Sequence, residues 1–218
     1  LKTLTFEDWT DEADKSFEQY SLSYGDNPTI TTWSDLIDDS QYGGALLYTY
    51  PMSEGPWDDD IESRTFYSYY WCDENNTVLK HRINSTWGYQ GGGHAISNHT
   101  SSDIMSNTSY DTQLEVYGEE NKGGNNGSTN FCVVNIGFLE ELPVGIFFED
   151  GIPRVIDHMY INNIALSLNY FINGVNDENG IIGPIEENET VTLVTYAVNE
   201  DGSVNKENHS EFDLCNGP

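Results

Sequence analysis

The sequence predicts an all-β protein, a single antiparallel β-sandwich of jelly-roll type spanning residues 1–218. Three observations carry that expectation. β-Branched and aromatic residues gather in short runs, the clearest with period two. Turn pairs separate the runs, at Asn126-Gly127, Asp150-Gly151, Asn173-Gly174, Asn179-Gly180 and Asp201-Gly202. Asparagine, tyrosine and glycine are abundant, and these residues build turns and polar loops rather than helices. With 218 residues, 37% hydrophobic and 13% aromatic, the chain is long enough to bury one core.

Taken in order, Thr3-Leu4-Thr5-Phe6 alternates like an opening strand. Segments 10–20 and 34–40 are the only stretches that read as helical, and each would be brief. Strands are expected at 44–50, 64–72, 93–98, 112–117, 130–138, 154–162 and 164–171, where β-branched and aromatic residues concentrate. From Val191 to Val198 both alternating sets are largely apolar, so this strand is expected to be buried on both faces. No internal repeat and no long linker divides the chain.

Charge narrows the functional classes. Eight basic residues against 37 acidic ones leave a formal charge of −29. Repulsion from phosphates argues against nucleic acid as a partner, and against adhesion to anionic headgroups. No apolar run reaches the roughly 20 residues that span a bilayer as a helix. Acidity and scarce lysine lean towards a secreted or cell-surface setting, and Leu1 opens into the strand pattern as a trimmed, mature chain would. Cys72, Cys132 and Cys215 match no zinc or redox spacing and read as buried free thiols.

No catalytic constellation stands out. The GxSxG elbow, the HExxH zinc motif and the phosphate-binding P-loop are all absent. Carboxylates are so numerous that a pair spaced for glycoside hydrolysis has no diagnostic value. Asp58-Asp59-Asp60-Ile61-Glu62 offers oxygen ligands for Ca2+ but lacks the glycine-turned spacing of an EF-hand, so a solvated acidic loop is the simpler reading. On a regular strand His94 and His99 point to opposite faces, which argues against a shared metal site. His158 follows Asp157 in an expected strand and reads as a buried, satisfied pair. Binding, not turnover, is the expectation.

Three stretches break the strand rhythm: 50–71, 87–94 and 121–128. The first holds Trp57 in an acidic Pro/Gly loop and then aromatic residues on both faces of a strand, Tyr67, Tyr69 and Trp71 against Phe66 and Tyr70. Only one such face packs easily on a core, which leaves polar-tipped rings available for flat ligands.

Four segments in this order carry a family resemblance: Leu4-Thr5-Phe6-Glu7-Asp8-Trp9, Gly92-Gly93-His94-Ala95-Ile96-Ser97-Asn98-His99, Gly123-Gly124-Asn125-Asn126-Gly127-Ser128 through Phe131, and Asp157-His158-Met159-Tyr160-Ile161-Asn162-Asn163. Between Leu4 and Leu214 the chain resembles secreted bacterial surface lipoproteins catalogued as a domain of unknown function, and in its Asn- and Tyr-rich, acidic make-up it is similar to their cobalamin-binding subgroup from gut anaerobes. The resemblance implies a jelly roll, a trimmed lipid anchor at the outer membrane and capture of vitamin B12 for an outer-membrane vitamin transporter.

Cobalamin chemistry suits the composition. Its peripheral amides need neutral hydrogen-bonding partners, and its ring faces need aromatic or apolar cover. Trp57, Tyr69, Trp71, Trp87 and Tyr89 are the expected stacking and packing groups, with Asn125 and Asn126 as amide partners. None of the five histidines lies in a DxHxxG motif, so no protein ligand to cobalt is expected. A carbohydrate-binding module is the alternative, since Trp57, Trp71 and Trp87 suit sugar rings equally well. A structural or adhesive role needs no pocket at all.

Overall fold

In the computed structural model, residues 3–7, 66–72, 77–84, 93–106, 114–135, 145–148, 150–177 and 180–217 are described. They are rich in strands and contain one α-helix. The principal sheet holds five antiparallel strands: β1 (Phe66–Cys72), β2 (Thr77–Asn84), β3 (Gly93–Ser97), β6 (Phe131–Asn135) and β7 (Ile146–Phe148). β1 pairs along β2, placing Tyr69 opposite His81 and Trp71 opposite Leu79. The other edge of β2 is shared, with Thr77–Leu79 pairing β7 and His81 pairing Gly93 of β3. β3 then pairs β6 from Gly93↔Asn135 to Ser97↔Phe131.

Three two-stranded ribbons complete the described β structure. β4 (Thr100–Ser101) and β5 (Val116–Tyr117) run parallel, while β8 (Val175–Asp177) and β9 (Gly180–Ile182) form a hairpin. The longest ribbon joins β10 (Thr190–Val198) to β11 (Val204–Asn216), turning through Asn199–Ser203. Asp201-Gly202 sits in that turn, where the Ser203 hydroxyl and N–H donate to Asp201 Oδ1 at 2.6 and 2.9 Å. Those two bonds hold the Asp201 carboxyl below its ordinary range. Two packed sheets are not seen among the described residues, so β-rich is the level of architecture they establish.

The expected strand at 164–171 is instead α1 (Ala165–Asn173). Ile164, Leu166, Leu168 and Tyr170 alternate, but the buried residues are Ala165, Leu166 and Asn169, a helical spacing. Ala and Leu favour a helix, and the segment's interior lacks the β-branched residues that would oppose one. Asn173-Gly174 ends this helix and makes no hairpin: Gly174 has φ 69° and donates its N–H to Tyr170 O at 3.0 Å.

The expected strand at 154–162 is likewise overturned, because 151–163 has no regular structure and every residue from Gly151 to Tyr160 is exposed. Val155 is 94% exposed. Asp150 grips Arg154 with two bonds of 2.8 and 2.6 Å, and the guanidinium stacks over Phe148, so side chains fix the entry to the segment.

Burial of both faces at Val191–Val198 also fails. Val191, Leu193, Val194 and Ala197 are half-buried, while Thr192, Thr195, Tyr196 and Val198 are exposed. A two-stranded ribbon has no third layer of its own with which to cover both sides. Cys132 and Cys215 carry thiols rather than disulfides, as expected, but are half-buried rather than buried. The 112–117 segment forms strand only at Val116–Tyr117 among its described residues, while the strands in 64–72, 93–98 and 130–138 appear where the pattern put them. Segments 10–20, 34–40 and 44–50 lie outside the described residues.

The described core is small: Ile96, Leu114, Val116, Val133, Ala165 and Leu166. Leu114 is 1% exposed, and its carbonyl accepts the buried Ser97 hydroxyl at 2.8 Å. Ala165 N–H donates to Glu115 O at 2.8 Å, fastening the helix start to the residue beside it. Leu114→Ala is expected to cost about 2–5 kcal/mol through lost contacts and a residual cavity. The exposed Val155→Ala should stay within roughly 0.5 kcal/mol in the same urea titration. Equal losses would contradict this placement of the core.

Candidate functional site

Of the three irregular stretches, 121–128 is fully described. Two close approaches shape it. A side chain at Gly123 would meet the Phe131 ring and Val116, and one at Gly124 would meet Ser128 and the Asn130 carbonyl. The short 3-10 turn Asn125–Gly127 is closed by Gly127 N–H to Gly124 O at 3.2 Å, Ser128 N–H to Asn125 O at 3.2 Å and Gly124 N–H to Ser128 O at 2.9 Å. Asn126 adopts φ 56°, a left-handed conformation that asparagine tolerates better than most residues.

The base of this loop is tied down by the amino-terminal segment. Buried Asn130 donates its backbone N–H to Glu7 Oε1 and its side-chain N–H to Phe6 O, each at 2.8 Å. Asn125 and Asn126 are exposed, and neither side-chain amide makes a hydrogen bond among the described residues. The loop thus presents two unengaged amides on a backbone closed by its own hydrogen bonds.

Tyr69 and Trp71 lie on β1, with only their backbone register described, and Trp57, Trp87 and Tyr89 lie outside the described residues. The acidic run Asp58–Glu62 lies outside them too. Among the described residues no group of three or more potential metal ligands converges. His158 and Asp157 form their pair at 2.8 Å, but both are exposed and outside any strand, which corrects the expectation of a buried pair. A neighbouring Tyr160 ring meets His158 edge-on.

A second feature went unnoticed in the sequence. A shallow recess of about 300 Å³ is lined by Ser102, Asp103, Ile104, Met105, Tyr117, Ile172 and Asn173. Met105, Ile172 and Tyr117 are 60%, 59% and 50% exposed at this place. Three elements distant in sequence build it: the turn at Ile104–Ser106, β5 and the end of α1. A strand reading of 164–171 could not bring Ile172 and Asn173 to that position.

Comparison with protein-family models, curated proteins and solved structures finds no match for this chain.

Beside the core, His99 Nε2 is buried and has no hydrogen-bond partner among the described residues. Burial holds the His99 pKa below the ordinary 6.5, because the imidazolium would lose its hydration. His99 therefore favours the folded state fully only above pH 6.5. Between 6.5 and its lower folded-state pKa, the unfolded chain takes up a proton that the folded chain refuses, and stability falls. His99→Leu is expected to flatten part of the decline in melting temperature between pH 7.5 and 5.5. An unchanged slope would show that His99 does not contribute to it.

Proposed function

We propose that this chain is a non-catalytic surface protein that captures cobalamin and hands it to an outer-membrane vitamin transporter. In this reading it is a jelly-roll domain held at the bacterial cell surface by a lipid anchor. The observation that carries the proposal is the pair of exposed, unengaged amides of Asn125 and Asn126 on a hydrogen-bonded loop. Such groups complement the primary amides around a corrin at little ordering cost, because the loop's own bonds already set its backbone.

Composition supports the same reading. Trp57, Tyr69, Trp71, Trp87 and Tyr89 provide rings for the corrin faces and the benzimidazole, and apolar cover with a few placed polar groups is the usual make-up of a small-molecule site. The resemblance of the four quoted segments to surface lipoproteins adds the membrane setting, and the Asn- and Tyr-rich, acidic make-up shared with a cobalamin-binding subgroup of them suggests the ligand. With no DxHxxG histidine, the vitamin would keep its own base on cobalt.

Calorimetry with cyanocobalamin and with a panel of oligosaccharides tests the proposal. Saturable binding of the vitamin is expected, with Trp57→Ala or Trp87→Ala weakening it roughly tenfold to a hundredfold, the loss from uncovering one buried ring. Asn125→Ala combined with Asn126→Ala should weaken it about tenfold, and moderate salt should change it little. Heat from an oligosaccharide and none from the vitamin would replace this reading with a sugar-binding one.

A further inference from the structure

Asn126-Gly127 and Asn173-Gly174 are the same chemical pair in two different settings. A glycine that follows asparagine leaves its own amide nitrogen unshielded, because no side chain keeps that nitrogen from the asparagine's side-chain carbonyl carbon. In the unfolded chain both pairs are equally open to ring closure. The fold separates them.

Exposure is not the difference, since Asn126 and Asn173 are both exposed. Asn173 Nδ2 donates to Asn169 Oδ1 at 2.8 Å and to Met105 Sδ at 3.0 Å, so its amide is held back along the helix. Gly174 is held too: its N–H donates to Tyr170 O at 3.0 Å, and a Cβ there would meet the backbone of Gly183 and Pro184. Ring closure at Asn173 requires the end of α1 to unwind from these contacts.

At the other pair the Asn126 amide makes no hydrogen bond among the described residues, and a Cβ on Gly127 would meet only the Lys122 side chain, at 3.9 Å. Gly127 N–H donates to Gly124 O at 3.2 Å, the long end of the usual range. Ring closure turns the Asn126 ψ away from 26° and breaks that bond. Only a three-residue turn at the surface opens, and such local openings are the least costly in a folded chain. Asn125, in the same turn, is followed by Asn126, whose side chain shields the nitrogen that would attack.

We propose that Asn126 is a site of spontaneous deamidation and that the end of α1 protects Asn173 from the same reaction. The Gly127 nitrogen gives its proton to hydroxide and attacks Asn126 Cγ. The N–Cγ bond forms, the Cγ–Nδ2 bond breaks, and Nδ2 leaves as ammonia after taking a proton from water. Water then opens the succinimide at either carbonyl, giving aspartate or isoaspartate. The net change is amide plus water to carboxylic acid plus ammonia, with nothing oxidised or reduced. The product carries one more negative charge, and isoaspartate adds a methylene to the backbone of the turn. This modification is independent of cobalamin capture.

Incubation of the full chain in mildly alkaline buffer, folded or in guanidinium chloride, tests it, with peptide mass spectrometry following each asparagine. In guanidinium chloride Asn126 and Asn173 are expected to convert at matching rates. In the folded chain Asn126 should convert at least about tenfold faster than Asn173, with isoaspartate among its products. Asn126→Gln lengthens the side chain by a methylene and should remove conversion from 121–128. Matching rates at the two sites in the folded chain, no conversion at folded Asn126 while the denatured chain converts fully, or unchanged conversion of 121–128 in Asn126→Gln would overturn the proposal.

Discussion

The bond from Ser97 Oγ to the Leu114 carbonyl, 2.8 Å long and buried, is the contact on which the described arrangement turns. Ser97 ends β3 of the principal sheet, and Leu114 leads into β5. The same hydroxyl accepts the His99 N–H at 3.1 Å, so one side chain sets the direction in which the chain leaves β3. His99 O then accepts Val116 N–H at 3.1 Å and Glu115 O accepts Ala165 N–H at 2.8 Å. Sheet, parallel ribbon and helix are thereby linked in sequence around Leu114. Losing the hydroxyl would leave a buried carbonyl unpaired, a larger penalty than the bond's net worth.

With that junction fixed, positions that attract attention for ligand binding follow. β5 and the end of α1 are held side by side, which creates the recess containing Tyr117 and Ile172. Gly123 packs beneath Phe131 and Val116, so the Asn125–Gly127 turn rises from the same junction. Large apolar side chains are exposed elsewhere among the described residues, including Val155, Tyr160 and Phe212. The net charge of −29 makes separate copies of the chain repel one another.

Local patterning was legible where one strand carried apolar residues in a short run, as in Phe66–Cys72, Gly93–Ser97 and Phe131–Asn135. It failed at Ala165–Asn173 because alternating Leu and Ile also satisfy a helical face, and the choice rested on burying Ala165, Leu166 and Asn169. β11 was not anticipated: Lys206, Glu207, Asn208, His209 and Ser210 show no apolar alternation, and its pairing with β10 determines it. β2 was missed for a similar reason, since Lys80, His81 and Arg82 interrupt its apolar residues. Asn125 and Asn126 were readable from the Gly-rich run around them, whereas the recess needed three segments brought together that no local pattern connects.

Hydrogen–deuterium exchange with and without saturating cyanocobalamin tests the central claim most directly. Capture through the Asn125–Asn126 loop predicts slower exchange in backbone amides of 121–130 and unchanged exchange in the solvent-facing ribbon of β10 and β11. Identical exchange in 121–130 at saturating vitamin would contradict it.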